Sequence, residues 1–202
     1  MKKILVTGFE PFGGDLRNPS GEAVLALHAP ANTEVRKLIL PVSWKRAFPL
    51  IEKAWDEWKP DAVLMVGLAA GSAAIRIERI GINLCGETAD IDGLYADGSA
   101  QDAKECPVIP GEQEAFFATY NAQGILSVMK KKGVPVKYSF SAGTYICNYI
   151  LYSSLAKRKR DNSDTKIGFI HLPYAYGQKD GVPSMPLGNM IQALEIALSE
   201  IF

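Results

Sequence analysis

Two residue types that perform acyl-transfer chemistry, a cysteine and a histidine, stand in settings that suit it. Cys147 lies in the run Ser141-Ala142-Gly143-Thr144-Tyr145-Ile146-Cys147-Asn148. A strand-like segment over 136–140 leads into a turn of small residues. A helical pattern then opens, with apolar residues at Ile146, Tyr149, Ile150 and Leu151. The thiol therefore falls in the first turn of a helix. Unpaired backbone N–H groups make that end positive and favour the thiolate, which is the nucleophile. A cysteine nucleophile needs a base that titrates near neutral pH, and histidine is the usual one. The chain has 2 histidines. One of them, His171, closes the buried-looking strand Gly168-Phe169-Ile170-His171-Leu172. Ligands of open α/β sheets bind outside the carboxyl ends of strands, an edge that both residues can reach.

A third group is needed to orient the imidazole. Glu78 is the best candidate, because it interrupts the apolar-rich segment Ile75-Arg76-Ile77-Glu78-Arg79-Ile80-Gly81-Ile82. A surface ion pair with Arg76 or Arg79 accounts for it equally well. Plainer readings exist for the other two residues. Cys147 fits a small buried hydrophobe, and His171 fits a strand-end cap on a neighbouring carbonyl. Asp61 precedes a strand and reads as a turn residue. Cys85 and Cys106 lack a helix-start setting and read as structural. Gly8-Phe9-Glu10-Pro11-Phe12-Gly13-Gly14 follows the first strand. It matches neither phosphate-binding glycine pattern. Phe9 and Phe12 instead suit a flat apolar ligand, or plain packing.

Bulk properties narrow the classes. A chain of 202 residues points to one domain with a sizeable core. Lys+Arg and Asp+Glu are both 22, so the formal net charge is zero. That argues against non-specific nucleic-acid binding, which needs a cationic field. The basic run Lys157-Arg158-Lys159-Arg160 reads as the solvated end of a helix, complementing its dipole. Three cysteines form neither a disulfide framework nor a metal-ligand spacing with the histidines. Reduced thiols, no metal and a cytoplasmic setting follow as expectations. The amino-terminal apolar run is too short for a secretory leader, and no stretch approaches a membrane span.

The elements that must position the site alternate. Strand-length runs fall at 3–7, 34–40, 62–66, 75–84, 136–140 and 166–171. Helical patterns begin at Ser20, at Ser43, near Gly111-Glu112, at Thr144 and near Ser184. Pro49 kinks the second pattern or marks a later start. The last pattern, ending near Ile201, carries Leu194, Ala197, Leu198 and Ile201 on one face. Together these predict a three-layer α/β/α sandwich with a largely parallel, mixed central sheet. Residues 85–110, rich in Gly, Asp and Pro, read as an excursion of loops or a small hairpin that covers a site.

Four motifs in order resemble the pyrrolidone-carboxylate peptidases (pyroglutamyl peptidase type I). They are Gly8–Gly14 with Asn18-Pro19-Ser20, Glu78–Leu84, Ser141–Asn148 and Gly168–Tyr174. The resemblance runs from the first strand to the last helix. It implies an α/β/α sandwich, a Cys-His-Glu triad on Cys147, His171 and Glu78, no cofactor, and a homo-oligomer, commonly a tetramer. It implies cysteine exopeptidase activity on peptides with an N-terminal pyroglutamyl residue. Phe9 and Phe12 would pack against the lactam ring, and the Leu68 main chain would bond it. Tyr145 and Ile146 would complete the substrate pocket. Thr88, Ser72 and Tyr149 stand where the family commonly has Arg, Arg and His. Thr88 and Ser72 leave open a related Cys-His amidase with a shifted acyl pocket. A non-catalytic small-molecule binder, stacking its ligand on Phe9 and Phe12, is the reading from another class.

Overall fold

Strands covered on both faces take up the continuous apolar runs, and helices fill the stretches between them. The computed structural model describes residues 1–101 and 104–202. In chain order the elements are β1 (Lys2–Phe9), α1 (Pro19–Ala26), β2 (Thr33–Leu40), α2 (Ala47–Trp58), β3 (Ala62–Leu68), β4 (Ile75–Glu78), β5 (Ile80–Ile82) and β6 (Ala115–Phe117). There follow α3 (Ala122–Lys131), β7 (Val136–Ser139), α4 (Ile146–Arg160), β8 (Lys166–Leu172), β9 (Tyr174–Ala175), β10 (Ser184–Met185) and α5 (Leu187–Glu200). Six strands form the central sheet in the order β2-β1-β3-β8-β4-β7. All its pairings are parallel except β4 with β8. The sheet is thus mixed and mostly parallel, as expected.

Side chains alternate along each strand, so each strand feeds two cores. Ile4, Val6, Leu64, Val66 and Ile170 pack with Val24 of α1, Ile125 of α3 and Leu194 of α5. Leu5, Val63, Met65 and Phe169 face the other way, onto Ile51 and Trp55 of α2 and Ile150 and Leu155 of α4. That is a three-layer sandwich. Ala197, Leu198 and Ile201 are buried along with Leu194, as the last helical pattern required.

Several boundaries differ from the sequence reading, each for a local reason. α1 is capped by Asn18, whose Oδ1 accepts from the Ser20 amide at 3.1 Å, with Pro19 at the first helical position. The Ser20 hydroxyl instead accepts from the Phe9 amide. α2 starts at Ala47, because the Ser43 hydroxyl is spent on Asp92; Pro49 sits harmlessly in the first turn. No helix begins near Gly111-Glu112: a turn there leads into β6, which pairs with β5, and α3 opens only after its Asn121 cap. Ser184 lies in β10, and α5 starts at Leu187. The 75–84 run splits at Arg79, with β4 in the main sheet and β5 in a separate two-stranded ribbon.

The basic run is not simply a solvated face. The Lys157 side chain is 4% exposed, and its ammonium pairs with Asp161 at 2.7 Å and Asp56 at 2.9 Å. Arg160 reaches Glu52 and Asp161, so the run ties α4 to α2 and leaves little charge for a partner. The irregular stretch after β5 is closed at its base by antiparallel backbone pairing of Cys85 with Cys106, whose thiols are free. Residues 102 and 103 of that expected excursion lie outside the described residues. Among the described residues, no helix is long and apolar enough to cross a membrane.

Candidate active site

Strand parity brings the site together on one face of the sheet. On β8, Ile167 and Phe169 belong to the core under α2 and α4, so His171 points the same way. On β4, Ile75 and Ile77 face the opposite core, which turns Glu78 toward the His171 side. In the antiparallel register Arg76 pairs with His171 and Glu78 with Phe169. Glu78 is therefore the diagonal neighbour of His171, one step deeper along the ladder. It is fully buried. Its Oε1 lies 2.7 Å from His171 Nδ1. A carboxylate oxygen accepts, so Nδ1 carries the hydrogen and Nε2 is left for the other side of the ring. The surface-pair reading of Glu78 is excluded: the Arg76 Nε donates to Ser72, and Arg79 stacks over Tyr138.

On that other side stands Cys147. In the parallel register Gly67 of β3 pairs with His171. A methyl group built on Gly67 would meet Cys147 Sγ at 2.9 Å, Phe169 Cζ at 2.9 Å and His171 Cδ2 at 3.1 Å. The missing side chain at Gly67 is what lets thiol and imidazole share this space. Cys147 is half-buried in the first turn of α4, whose Tyr145 cap makes no side-chain bond to the helix. The first N–H groups of α4 thus lack a side-chain acceptor. Burial alone would push the His171 imidazole down. Cys147, by charge and hydrogen bonding, and then Glu78 outweigh it and hold the ring up at about 9.

The thiol opens onto a small, mostly apolar pocket. Phe9, Phe12, Leu68, Tyr145 and Ile146 all line it, together with Cys147. Its two phenylalanines offer the apolar ring faces that planar groups pack against. The loop that carries both phenylalanines is held firmly. Gly13 and Gly14 take φ of 62° and 82°, letting Asp15 close a turn on Phe12. Asn18 Nδ2 donates to the Glu10 carbonyl at 2.9 Å. A larger concavity between Lys2, Pro60, Thr165 and Phe202 lies at the amino ends of β1, β3 and β8, and its lining includes neither a cysteine nor a histidine. Asp61, at that same end, bonds the Lys3 amide, as a turn residue should.

Sequence reasoning missed several residues that build the site. Asn18 and Val42 also line the cavity. Asn148 is fully buried and exchanges bonds with Ile82 and Leu84, pinning the start of α4 to β5. Its place beside Cys147 was the available signal. Trp44 packs edge-on against Tyr145 at 5.3 Å, and its amide donates to Asp90 of the excursion. The Ala89 carbonyl accepts from the Tyr145 hydroxyl. The excursion therefore braces the cavity wall. The three unusual positions stand clear of the Glu78–His171 contact. Ser72 receives Arg76, Tyr149 packs on Trp44 and Phe48, and Thr88 is exposed. Among the described residues, no group of three or more His, Cys, Asp or Glu side chains could hold a metal ion.

The family model described as pyroglutamyl peptidase matches residues 2–202. This chain belongs to the pyroglutamyl peptidase family. It is similar to the pyrrolidone-carboxylate peptidase of Enterobacter sp., at 37% identity over 98% of this chain and 92% of that one. The Pyrococcus furiosus pyrrolidone-carboxylate peptidase is 36% identical over 98% of this chain and 99% of its own. Among solved structures, the pyrrolidone carboxyl peptidase from Thermococcus litoralis superposes with a TM-score of 0.91 at 34% identity. It covers 100% of this chain and 93% of that one. The pyroglutamyl peptidase I from Bacillus amyloliquefaciens gives 0.91 at 31%, over 99% and 94%. These structures share the mixed, mostly parallel sheet flanked by helices.

Proposed function

We propose that this chain is a cysteine exopeptidase that removes N-terminal pyroglutamyl residues from peptides through a thioester acyl-enzyme. The observation that carries the reading is the buried Glu78–His171 pair with the Cys147 thiol beside it, at the mouth of a small apolar pocket walled by Phe9 and Phe12. Family membership agrees with it. The Cys147 thiol passes its proton to His171, and the sulfur adds to the pyroglutamyl carbonyl. The imidazolium gives that proton to the departing amine as the C–N bond breaks, and the neutral ring then activates water to hydrolyse the thioester. Glu78 fixes the Nδ1–H tautomer and stabilises the charged ring. The first backbone N–H groups of α4 are the candidate oxyanion donors. Phe9 and Phe12 wall the lactam, Tyr145 and Ile146 close the pocket, and the Leu68 main chain bonds the ring amide.

The reading needs no cofactor. It takes residues 1–202 as a single catalytic domain, assembled as a homo-oligomer of four copies as the resemblance implies. It places the protein in the cytoplasm, where its three free thiols stay reduced. The shifted-pocket amidase and the non-catalytic binder find no support in the family membership. The test is side-by-side hydrolysis of pyroglutamyl, prolyl and alanyl arylamides. The reading expects pyroglutamyl to be strongly preferred. Equal specificity constants for pyroglutamyl and prolyl substrates would overturn it.

A further inference from the structure

Tyr120 has no part in the chemistry above, yet it touches the backbone of both strands that carry the acid and the imidazole. It lies in the core on the opposite face of the sheet from Cys147. Its hydroxyl sits 3.0 Å from the Glu78 carbonyl and 3.0 Å from the Phe169 carbonyl. Glu78 and Phe169 are partners in the β4–β8 ladder, and theirs is the last rung, because β4 ends at Glu78. Past that rung the chain leaves for β5, and the edge of β8 is taken over by the segment that contains Tyr120. The Thr119 and Tyr120 amides both donate to the Ile167 carbonyl, and the Ala118 amide donates to Arg79. Room for the aromatic ring is made at Gly168, where any Cβ would overlap it.

We propose that Tyr120 is a positioning residue for the Glu78–His171 pair: its buried hydroxyl clamps the final rung of the β4–β8 ladder from behind and so sets where the Glu78 carboxylate stands. The hydroxyl has one proton and two acceptors, so it donates to both carbonyls in a shared bond. Burial, and then the Glu78 carboxylate, push its phenol well above the usual range, with Arg79 opposing and Tyr138 adding to the shift. The group therefore keeps its proton and stays a donor. A carboxylate at the frayed end of a short ladder would sample several positions. With one oxygen fixed 2.7 Å from Nδ1, the other, Oε2, is buried without a partner. Among the described residues, no second side chain bonds the carboxylate in place. Its position rests on the backbone that Tyr120 holds.

The inference rests on the proposed roles of Glu78 and His171, and the experiment separates the two. Tyr120→Phe removes the hydroxyl and keeps the ring. We expect kcat for pyroglutamyl arylamide to fall about 10-fold with KM within about 2-fold, because binding groups are untouched. The high-pH limb of activity should move to lower pH, and the pH profile of Cys147 alkylation by iodoacetamide should move with it. On a Glu78→Gln background, Tyr120→Phe should add little, since it acts through that carboxylate. Gly168→Ala, which displaces the ring, is a second route to the same shift. A lowered melting temperature with kcat and both pH profiles unchanged would assign Tyr120 to packing and overturn the proposal. So would full additivity with Glu78→Gln, or a Tyr120→Phe chain that does not fold. Alkylation needs no pyroglutamyl substrate, so a wild-type enzyme that failed to cleave one would sink the functional reading while this test still ran.

Discussion

Replacing Glu78 by glutamine keeps the shape of the side chain and removes its charge, and the structure leaves the amide no good orientation. With its oxygen toward His171 Nδ1, the bond survives in neutral form. The amide nitrogen then takes the place of Oε2, which is buried without a partner, and strands a donor. Turned the other way, the NH2 faces Nδ1, and the ring must move its hydrogen to Nε2, the side that faces the thiol. The first orientation trades a charge-assisted bond of about 1.5–3 kcal/mol for a neutral one of about 0.5–1.5 and adds an unsatisfied buried donor at about 1–3. The second gives the wrong tautomer. Either way kcat should fall roughly 10- to 1,000-fold, about 1.4–4 kcal/mol in the barrier. The pH dependence is a separate signature. His171 must be protonated to serve the leaving amine, and it is held up at about 9 by Cys147 and then Glu78. Wild-type activity should therefore persist below about that pH and fall as pH rises through it, and in Glu78→Gln the fall should begin at lower pH. Steady-state kinetics across the alkaline range, on protein shown to be folded by circular dichroism, reads both effects. Activity within 2-fold of wild type with an unmoved alkaline limb would refute the reasoning and leave Glu78 a buried structural carboxylate.

Other outcomes follow from the same geometry. Cys147→Ser should leave the fold intact and take activity to less than about a tenth of wild type, since loss of a nucleophile costs orders of magnitude; circular dichroism and an arylamide assay check this. Gly67→Ala would place a methyl 2.9 Å from Cys147 Sγ and 3.1 Å from His171 Cδ2, so kcat and the alkylation rate of Cys147 should both fall at least about 10-fold. A pyroglutamyl substrate should be preferred over its prolyl analogue, because lactam partners left unpaired cost about 1–3 kcal/mol each; paired specificity constants measure it. The folded His171 pKa lies above the 6.5 of a free imidazole, so its pairing stabilises the fold fully below about that pH, and the contribution is lost as pH rises toward 9. Urea denaturation across that window should show the decline, and Cys147→Ser should flatten it.

Much of the architecture was legible because both cores are written in strand parity. The runs that became β1, β3 and β8 hold continuous apolar stretches (Ile4–Val6, Ala62–Leu68 and Ile167–Ile170), as strands covered on both faces do. The thiol, the imidazole and the two phenylalanines were legible from residue type and position in an element. Other features depend on partners distant in the chain. Ser43 looked like a helix cap, but Asp92 of the excursion claims its hydroxyl. Lys157 looked like a solvated charge, but carboxylates from α2 and its own helix end enclose it. Glu78 was ambiguous between a surface pair and an orienting acid, because one sequence does not say that β4 runs against β8. That antiparallel register places it one step below His171 and out of solvent. Tyr120 carried no signal, because its role exists only where β4 ends and the 118–120 segment takes over the edge of β8.

The most direct test of the central claim is to trap the acyl-enzyme. Wild-type protein mixed with a pyroglutamyl arylamide and quenched in acid within the first turnovers should carry one pyroglutamyl group. Peptide mass spectrometry should map that group to the segment containing Cys147, and Cys147→Ser should carry none. A wild-type enzyme that turns over the substrate while the label is found on Cys85 or Cys106, or persists in Cys147→Ser, would contradict the account.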